Sequence, residues 1–464
     1  MNVASFFSLM RFELVITLLI FVLLIAKIGK GWSSATVLNV ATIGVAVALG
    51  CMALGTMKGN LFASMFQMSA MVMVEKVILL LAMLVFLVLN RSFIGSQDNV
   101  VECIVLLLSS LLGMLFLVSS GHFLFFYLSL ELATIPLVAL SSFQLQSPRS
   151  AESGIKFSLN AAFSSAILLM GISFLYGATG TLVFSEFASV LTVNAFTIMG
   201  FVVFFSGLAF KMSAVPFHLW TADVYEGAPV PVTSFLAAHS KAAFGFVLIP
   251  VLFTLFGAMQ VQVLLVLKIV TLATIIVGNL FALRQKDVSR FLAFSSVSQA
   301  GYILLGYMAG SDLGNTAVVY FLFVYVLATI LIFGIVGLVR LQTGYLDLEE
   351  YKGFYHKNKT LSVGLIVGLA VLAGIPPTAG FFGKLYLIMA GATSVSVGYI
   401  LVVVMNLVIA LYYYLRWVRL MFVSDHETIE VKVPGTVRWV IVVLSVVLTV
   451  MGFFGGLFDH FLKL

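Results

Sequence analysis

Apolar residues run along this chain in blocks of about 18 to 25, too long for buried strands and matched to the roughly 30 Å of hydrocarbon that a helix crosses at about 1.5 Å per residue. Such blocks fall at 11–28, 36–56, 68–89, 101–119, 121–143, 155–177, 194–219, 229–256, 262–283, 289–308, 315–340, 359–389, 396–420 and 436–457. The pattern predicts an all-α polytopic membrane protein with about fourteen transmembrane helices. The polar stretches between blocks are short, which leaves no room for a soluble domain.

Composition sharpens this reading. With 62% of residues hydrophobic and 9% charged, the chain is far more apolar than a soluble domain needs to be in order to bury a core. The basic residues of the connecting loops are lopsided. Lys27, Lys30, Arg91, Arg149, Arg284, Lys286, Arg290, Arg340, Lys352, Lys357, Lys359, Arg416, Arg419, Lys432 and Arg438 follow odd-numbered blocks, whereas Arg11, Lys58 and Lys463 lie on the other side. Basic loops stay in the cytoplasm, so this asymmetry predicts an even number of crossings with both termini outside. It also accounts for the net charge of +6 without any nucleic acid. Cys51 and Cys103 lack metal-ligand spacing and read as small hydrophobes. No metal cluster, phosphate-cradling loop or nucleophilic triad is present in the pattern.

The chemistry lies in charges that fall inside the apolar blocks. Six lysines do so, Lys76, Lys156, Lys211, Lys241, Lys268 and Lys384, together with Glu131 in FFYLSLELATIP. An ionisable group near the bilayer centre costs about 2.5–3.5 kcal/mol on insertion scales, so it persists where it faces protein or water and has work to do. Lys76 and Lys268 lie within about two turns of a helix end, where a long side chain snorkels to the interface. Lys156 lies near a mouth as well. Lys211, Lys241 and Lys384 sit too deep for that, and Glu131 is near the midplane, where a carboxylate stays charged only beside a cation.

Two blocks are interrupted, one by FKMSAVPFHLW with Pro216, the other by AGIPPTAGFFGK with Pro376, Pro377, Gly380 and Gly383. Proline removes a backbone donor, and unwound backbone within a membrane is tolerated where it lines a cavity. A pair of broken helices in corresponding halves marks the site of an inverted-repeat transporter. Lys211 precedes the first break and Lys384 follows the second. The expected organisation is a three-helix segment at 1–100, two inverted five-helix repeats at 101–257 and 258–422, each with one broken helix, and a final helix in 423–464.

At these residues the chain resembles the antiporter-like subunits of respiratory complex I, over nearly its whole length. KMSAVPFHLWTADVYEGAPVPVTSFLAAHSK at 211–241, ALRQKDVSRFLAFSSVSQAGY and AGIPPTAGFFGKLYL carry the resemblance. The first stretch, a lysine rather than a histidine at 241 and a lysine rather than a glutamate at 384 point to the N-type members of the family. The resemblance implies a translocase subunit of NADH:quinone oxidoreductase in the bacterial inner (plasma) membrane, surrounded by lipid, with both termini periplasmic and K-type and M-type subunits as neighbours. It implies no redox centre in this chain, with NADH, FMN, iron–sulfur clusters and quinone held by partner subunits. Glu131 would then pair with Lys211, and Lys156, Lys241 and Lys384 would complete the proton-carrying set. His239, Ser298 and Tyr302 are candidate relays. Gln299 stands where relatives often carry a histidine, and an amide does not titrate. A subunit of a multi-subunit Mrp-type sodium/proton antiporter is the alternative, since it would use the same fold.

Overall fold

The protein is described by a computed structural model that covers residues 3–29, 31–55, 58–144, 146–424 and 429–453. Lys30, Lys463 and the end of the last predicted span lie outside these residues. Helices dominate, as the apolar blocks require. Ten of the described helices, from Ser34–Leu54 to Gly435–Phe453, are long and apolar enough to cross a membrane. Arg11–Ile28 coincides with the first predicted span but carries Arg11, Glu13 and Lys27. The protein is a multi-pass membrane protein.

Helix ends follow local chemistry. The block predicted at 155–177 is the helix Pro148–Thr179, because Ser147 accepts a hydrogen bond from the Ser150 N–H and Pro148 opens the first turn, both favoured at helix starts. Its polar first turns carry no apolar signal. Asp312–Thr343 starts on Ser311 in the same way and stops at the left-handed Gly344. Within the bundle, helices meet through close approach and hydroxyl groups rather than through a hydrophobic driving force. Ser164 Oγ donates to Gly207 O at 3.0 Å, and Ser110 Oγ donates to Ala133 O at 2.6 Å.

Two compact units make up the chain. One holds Met1–Leu87, Ile94–Lys211 and His239–Val263; the other holds Val88–Phe93, Met212–Ala238 and Leu264–Leu464. In the first unit an antiparallel hairpin pairs Gly59–Leu61 with Phe66–Met68, in the register Leu61 to Phe66. It is stitched to the loop before helix Phe123–Ser141 by Gln67 N–H to Ser119 O at 2.8 Å and Gly121 N–H to Met65 O at 2.9 Å. Strands three residues long leave no periodic signal, so the hairpin had no sequence counterpart.

One lysine is placed differently from expectation. Lys76 does not snorkel: it is 0% exposed, and its Nζ meets Glu13 Oε1 at 2.6 Å. Axial distance to a mouth misleads when a carboxylate 63 positions away in sequence closes on the amine. Removing one member of such a buried pair costs about 3–5 kcal/mol. Lys156, expected near the mouth of its helix, has a side chain 41% exposed and pairs with Glu152, one turn earlier, at 2.8 Å. The helix starts earlier than its apolar block, which puts Lys156 in its third turn. Lys268 is half-buried, in keeping with a snorkelling side chain.

Candidate functional site

The first interrupted block is two helices, Ala195–Lys211 and Leu219–Gly227. Between them Ser213 takes φ 59°, a left-handed conformation rare for a residue with a Cβ, and the Val215–Pro216 peptide is cis. Val215 N–H is satisfied by Thr274 Oγ1 at 3.0 Å, so the unwound backbone is caught by a side chain of the same unit, on helix Gln260–Arg284. The break leaves Lys211 on the last turn of its helix, 6% exposed.

Lys211 Nζ donates to Thr134 Oγ1 at 3.2 Å. Glu131 accepts from Ser165 Oγ at 2.5 Å. Glu131 and Thr134 are three residues apart on helix Phe123–Ser141 and therefore share a face. The expected Glu131–Lys211 pair is thus an electrostatic pairing in which each charge has a hydroxyl as its hydrogen-bond partner. Hydroxyls both donate and accept, so the pair can be bridged without direct contact. Thr134 and Ser165 were not read from the sequence; their signal is the i+3 spacing of Thr134 from Glu131, and for Ser165 there was none.

The next span, predicted at 229–256, is Val230–Leu255 and contains two turns of wider π-helix, Leu236–Ser240 and Val251–Leu255, of which the first bears on the site. Such turns cluster at functional sites because they leave a carbonyl out of register. Here Ala237 O accepts from Tyr325 Oη at 3.1 Å. The turn carries His239, whose ring lies edge-on to Phe86 at 5.8 Å, and it ends where Lys241 begins, 2% exposed.

The second interrupted block is also two helices, Lys359–Ala373 and Ala379–Ala392. The first half stops at Gly374, φ +79°, and the Pro376–Pro377 peptide is cis. Gly380 opens the second half so close to the carbonyl of Val371 that a Cβ would collide with backbone. This closeness folds Lys384 back against the end of the preceding half. Its Nζ donates to Leu372 O at 2.5 Å, reaches Ala373 O at 3.5 Å and lies 4.7 Å from the centre of the Tyr302 ring. The carbonyls at a helix C-terminus carry partial negative charge, which suits a cation.

Gln299 shares this neighbourhood. Its Nε2 donates to the same Leu372 O at 3.0 Å and to Tyr414 Oη at 3.1 Å, and the Tyr414 hydroxyl meets Ser295 Oγ. A cavity of ≈ 10 Å³, about the room one water needs, touches Leu372, Ser295, Ser296, Tyr325 and Thr329. Tyr302 and Ser298, both fully buried, belong to the same helix, Val288–Tyr307. Tyr414 had no signal in the sequence, where it is one of three consecutive tyrosines on helix Val397–Met421.

Two of the quoted motifs meet at the edge of the apolar blocks. Arg290 Nη1 bridges Asp223 Oδ1 at 3.0 Å and Glu226 Oε2 at 2.7 Å, while Asp287 caps Arg290's helix by accepting from its backbone N–H at 2.8 Å. Burial pushes the Asp287 carboxyl above the usual carboxylate range, against that N–H, which favours the charged form. Among the described residues, no group of three or more His, Cys, Asp or Glu could hold a metal ion.

Comparison with known proteins follows these features closely. The family described as "NADH:quinone oxidoreductase/Mrp antiporter, TM" matches residues 120–410. The NADH-quinone oxidoreductase subunit N of Phocaeicola vulgatus is 44% identical over 375 residues, 79% of this chain and 79% of that protein. A chain of respiratory complex I from Thermus thermophilus with bound Aureothin is similar with a TM-score of 0.81 at 27% identity, covering 96% of this chain and 98% of that one. A chain of the Mrp complex from Dietzia sp. DQ12-45-1b shares the fold with a TM-score of 0.84 at 19% identity, covering 97% of this chain and 95% of its own. A match over this much of the chain, with the quoted motifs inside it, means that the chain belongs to the NADH:quinone oxidoreductase/Mrp antiporter family of transmembrane proteins.

Proposed function

We propose that this chain is the N-type, proton-translocating membrane subunit of a bacterial NADH:quinone oxidoreductase. The observation that carries the reading is the 44% identity to a subunit N across 79% of both chains. In this reading the polypeptide crosses the inner membrane about fourteen times with both termini periplasmic, and its two five-helix repeats are inverted with respect to each other. K-type and M-type subunits are its neighbours. The chain has translocase activity but no redox centre; NADH, FMN, iron–sulfur clusters and quinone are handled by partner subunits.

Glu131, Lys211, Lys241 and Lys384 carry the protons, with Lys156 at the exposed edge of the set and Ser298, Tyr302 and His239 as relays. The Glu131–Lys211 pair is the switch. Opposite charges stabilise each other, so drawing Glu131 away leaves a charged amine in apolar surroundings, and Lys211 gives up its proton. A conformational or electrostatic pulse from the redox partners supplies that movement. Hydroxyl partners on both charges support the reading, because they hold each group ready without locking the two together.

The shared fold with an Mrp complex chain favours one alternative, a subunit of a sodium/proton antiporter. Gentle detergent extraction followed by identification of the bound proteins separates the two. Hydrophilic flavin and iron–sulfur subunits should co-purify, and vesicles should take up protons in proportion to NADH oxidised. Sodium-dependent transport from a preparation lacking those subunits would establish the antiporter instead.

A further inference from the structure

Away from these lysines, four ionisable side chains are buried together at one end of the first unit. Arg11 and Glu13 open helix Arg11–Ile28, and Glu75 and Lys76 lie in the second turn of helix Ala70–Leu89. They are 7%, 1%, 3% and 0% exposed. None of them belongs to the motifs that place the chain in its family match, which begins at residue 120.

The hairpin packs against Lys76. Phe66 lies under the amine, with Lys76 Nζ 4.5 Å from its ring centre, and Met68 Sδ is 3.6 Å from the same nitrogen. Arg11 is used elsewhere: its Nη2 donates to Gly55 O at 2.5 Å, and its guanidinium packs on Phe12 at 5.2 Å. The hairpin itself contributes no charge, and Lys58 beside it is exposed. On the neighbouring helix Val100–Val118, Glu102 is committed to Lys27 at 2.9 Å. The balance is therefore local. Two carboxyls are buried with two cations, of which only Lys76 makes an ion pair with either carboxyl among the described residues.

That amine sits on Glu13 Oε1, while Glu13 Oε2 has no hydrogen-bond partner among the described residues. Glu75 makes no ion pair among the described residues, although the Lys76 charge acts on it from the adjacent position. A buried carboxyl without a cation or donor is stable only when protonated. We propose that Glu13, Glu75 and Lys76 form a proton-binding site separate from the Glu131 to Lys384 set, in which Lys76 serves one carboxylate and the other carboxyl carries the proton. When Lys76 moves from Glu13 to Glu75, Glu75 gives up its proton and Glu13 takes one, so the cluster's charge is unchanged. Opening of the hairpin would let that proton exchange with water at this end of the bundle. The proposal does not depend on which transport complex the chain belongs to.

The test is infrared spectroscopy of the full-length chain purified with its partners, following the carboxylic-acid C=O stretch at neutral pH and its shift in D₂O. The wild type should show a buried acid band that Glu75→Gln abolishes. Glu13→Gln should also abolish it, because Lys76 then turns to Glu75, and Lys76→Met should double it by leaving both carboxyls protonated. If Glu13→Gln does not assemble, Glu13→Asp, with its shorter reach, should lower the band. No acid band assignable to Glu75, or a band unaffected by changes at Glu13, would overturn the proposal in favour of a fixed structural ion pair.

Discussion

The two helix breaks house a buried lysine in opposite ways. At the first, Lys211 ends a helix and is balanced by a side-chain carboxylate, with threonine and serine hydroxyls as the immediate hydrogen-bond partners. At the second, Lys384 lies in a helix that restarts and is held by main-chain carbonyls of the half that has just stopped, with an aromatic face beside it. A carboxylate can be moved or protonated; a carbonyl at a helix end can be neither. The difference bears on the proposed function: there the first lysine is the one that is switched and the second is a fixed station, whose protonation changes only with the water around it.

The largest effects should come from removing the amines. Lys211→Ala and Lys384→Ala should each cut proton uptake per NADH oxidised, in vesicles normalised to assembled complex, by at least about tenfold, the scale of losing a proton-transfer group. Arginine at 384 should not restore full function, because a guanidinium keeps its proton at any accessible pH. Wild-type pumping by an assembled alanine variant would place the proton-carrying groups elsewhere. Glu131→Gln should come next and is the sharpest test of the contrast: it should impair pumping severely while Glu131→Asp retains part of it, since only the carboxylate answers for Lys211. Equal activity of the Gln and Asp variants would mean that the carboxylate charge is not the switch.

Thr134→Val removes one hydrogen bond to Lys211 and keeps the shape. A net hydrogen bond of about 1 kcal/mol corresponds to about a fivefold change, and turnover should fall by that order without loss of assembly. The smallest effect belongs to Lys268→Ala. That side chain is half-buried near a helix end, and pumping should stay within about twofold of wild type, because a snorkelling amine contributes mainly solvation. If Lys268→Ala matched Lys384→Ala, depth along the helix would not be what distinguishes the titrating lysines.

Much of this was legible in the residues. Long apolar blocks and prolines inside them are strong local signals, so the helices, both interruptions and the deep positions of Lys211, Lys241 and Lys384 could be read without coordinates. Pairings between distant segments could not. Lys76 reads as a surface-seeking amine until Glu13 is brought to it by packing of helices that are far apart in sequence. Lys156 reads as lying near a mouth, but its partner Glu152 falls in helical turns that carry no apolar signal. The substitute chemistry around Gln299 depends on Tyr414, a residue on an apolar helix whose hydroxyl has meaning only once its neighbour is known. The π-turn before Lys241 lacks any proline or glycine to announce it.

The segment Met212–Ala238 packs as part of the second unit, although residues on both sides of it in sequence belong to the first. During synthesis it therefore emerges ahead of most of the surface it is to cover. A ribosome that has delivered residue 263 has delivered the whole first unit together with two pieces of the second, Val88–Phe93 and Met212–Ala238, the latter with the Asp223 and Glu226 carboxylates whose arginine arrives with residue 290. A chain ended at residue 263 would leave those pieces without the rest of their unit, so no single cut in the sequence separates the two units.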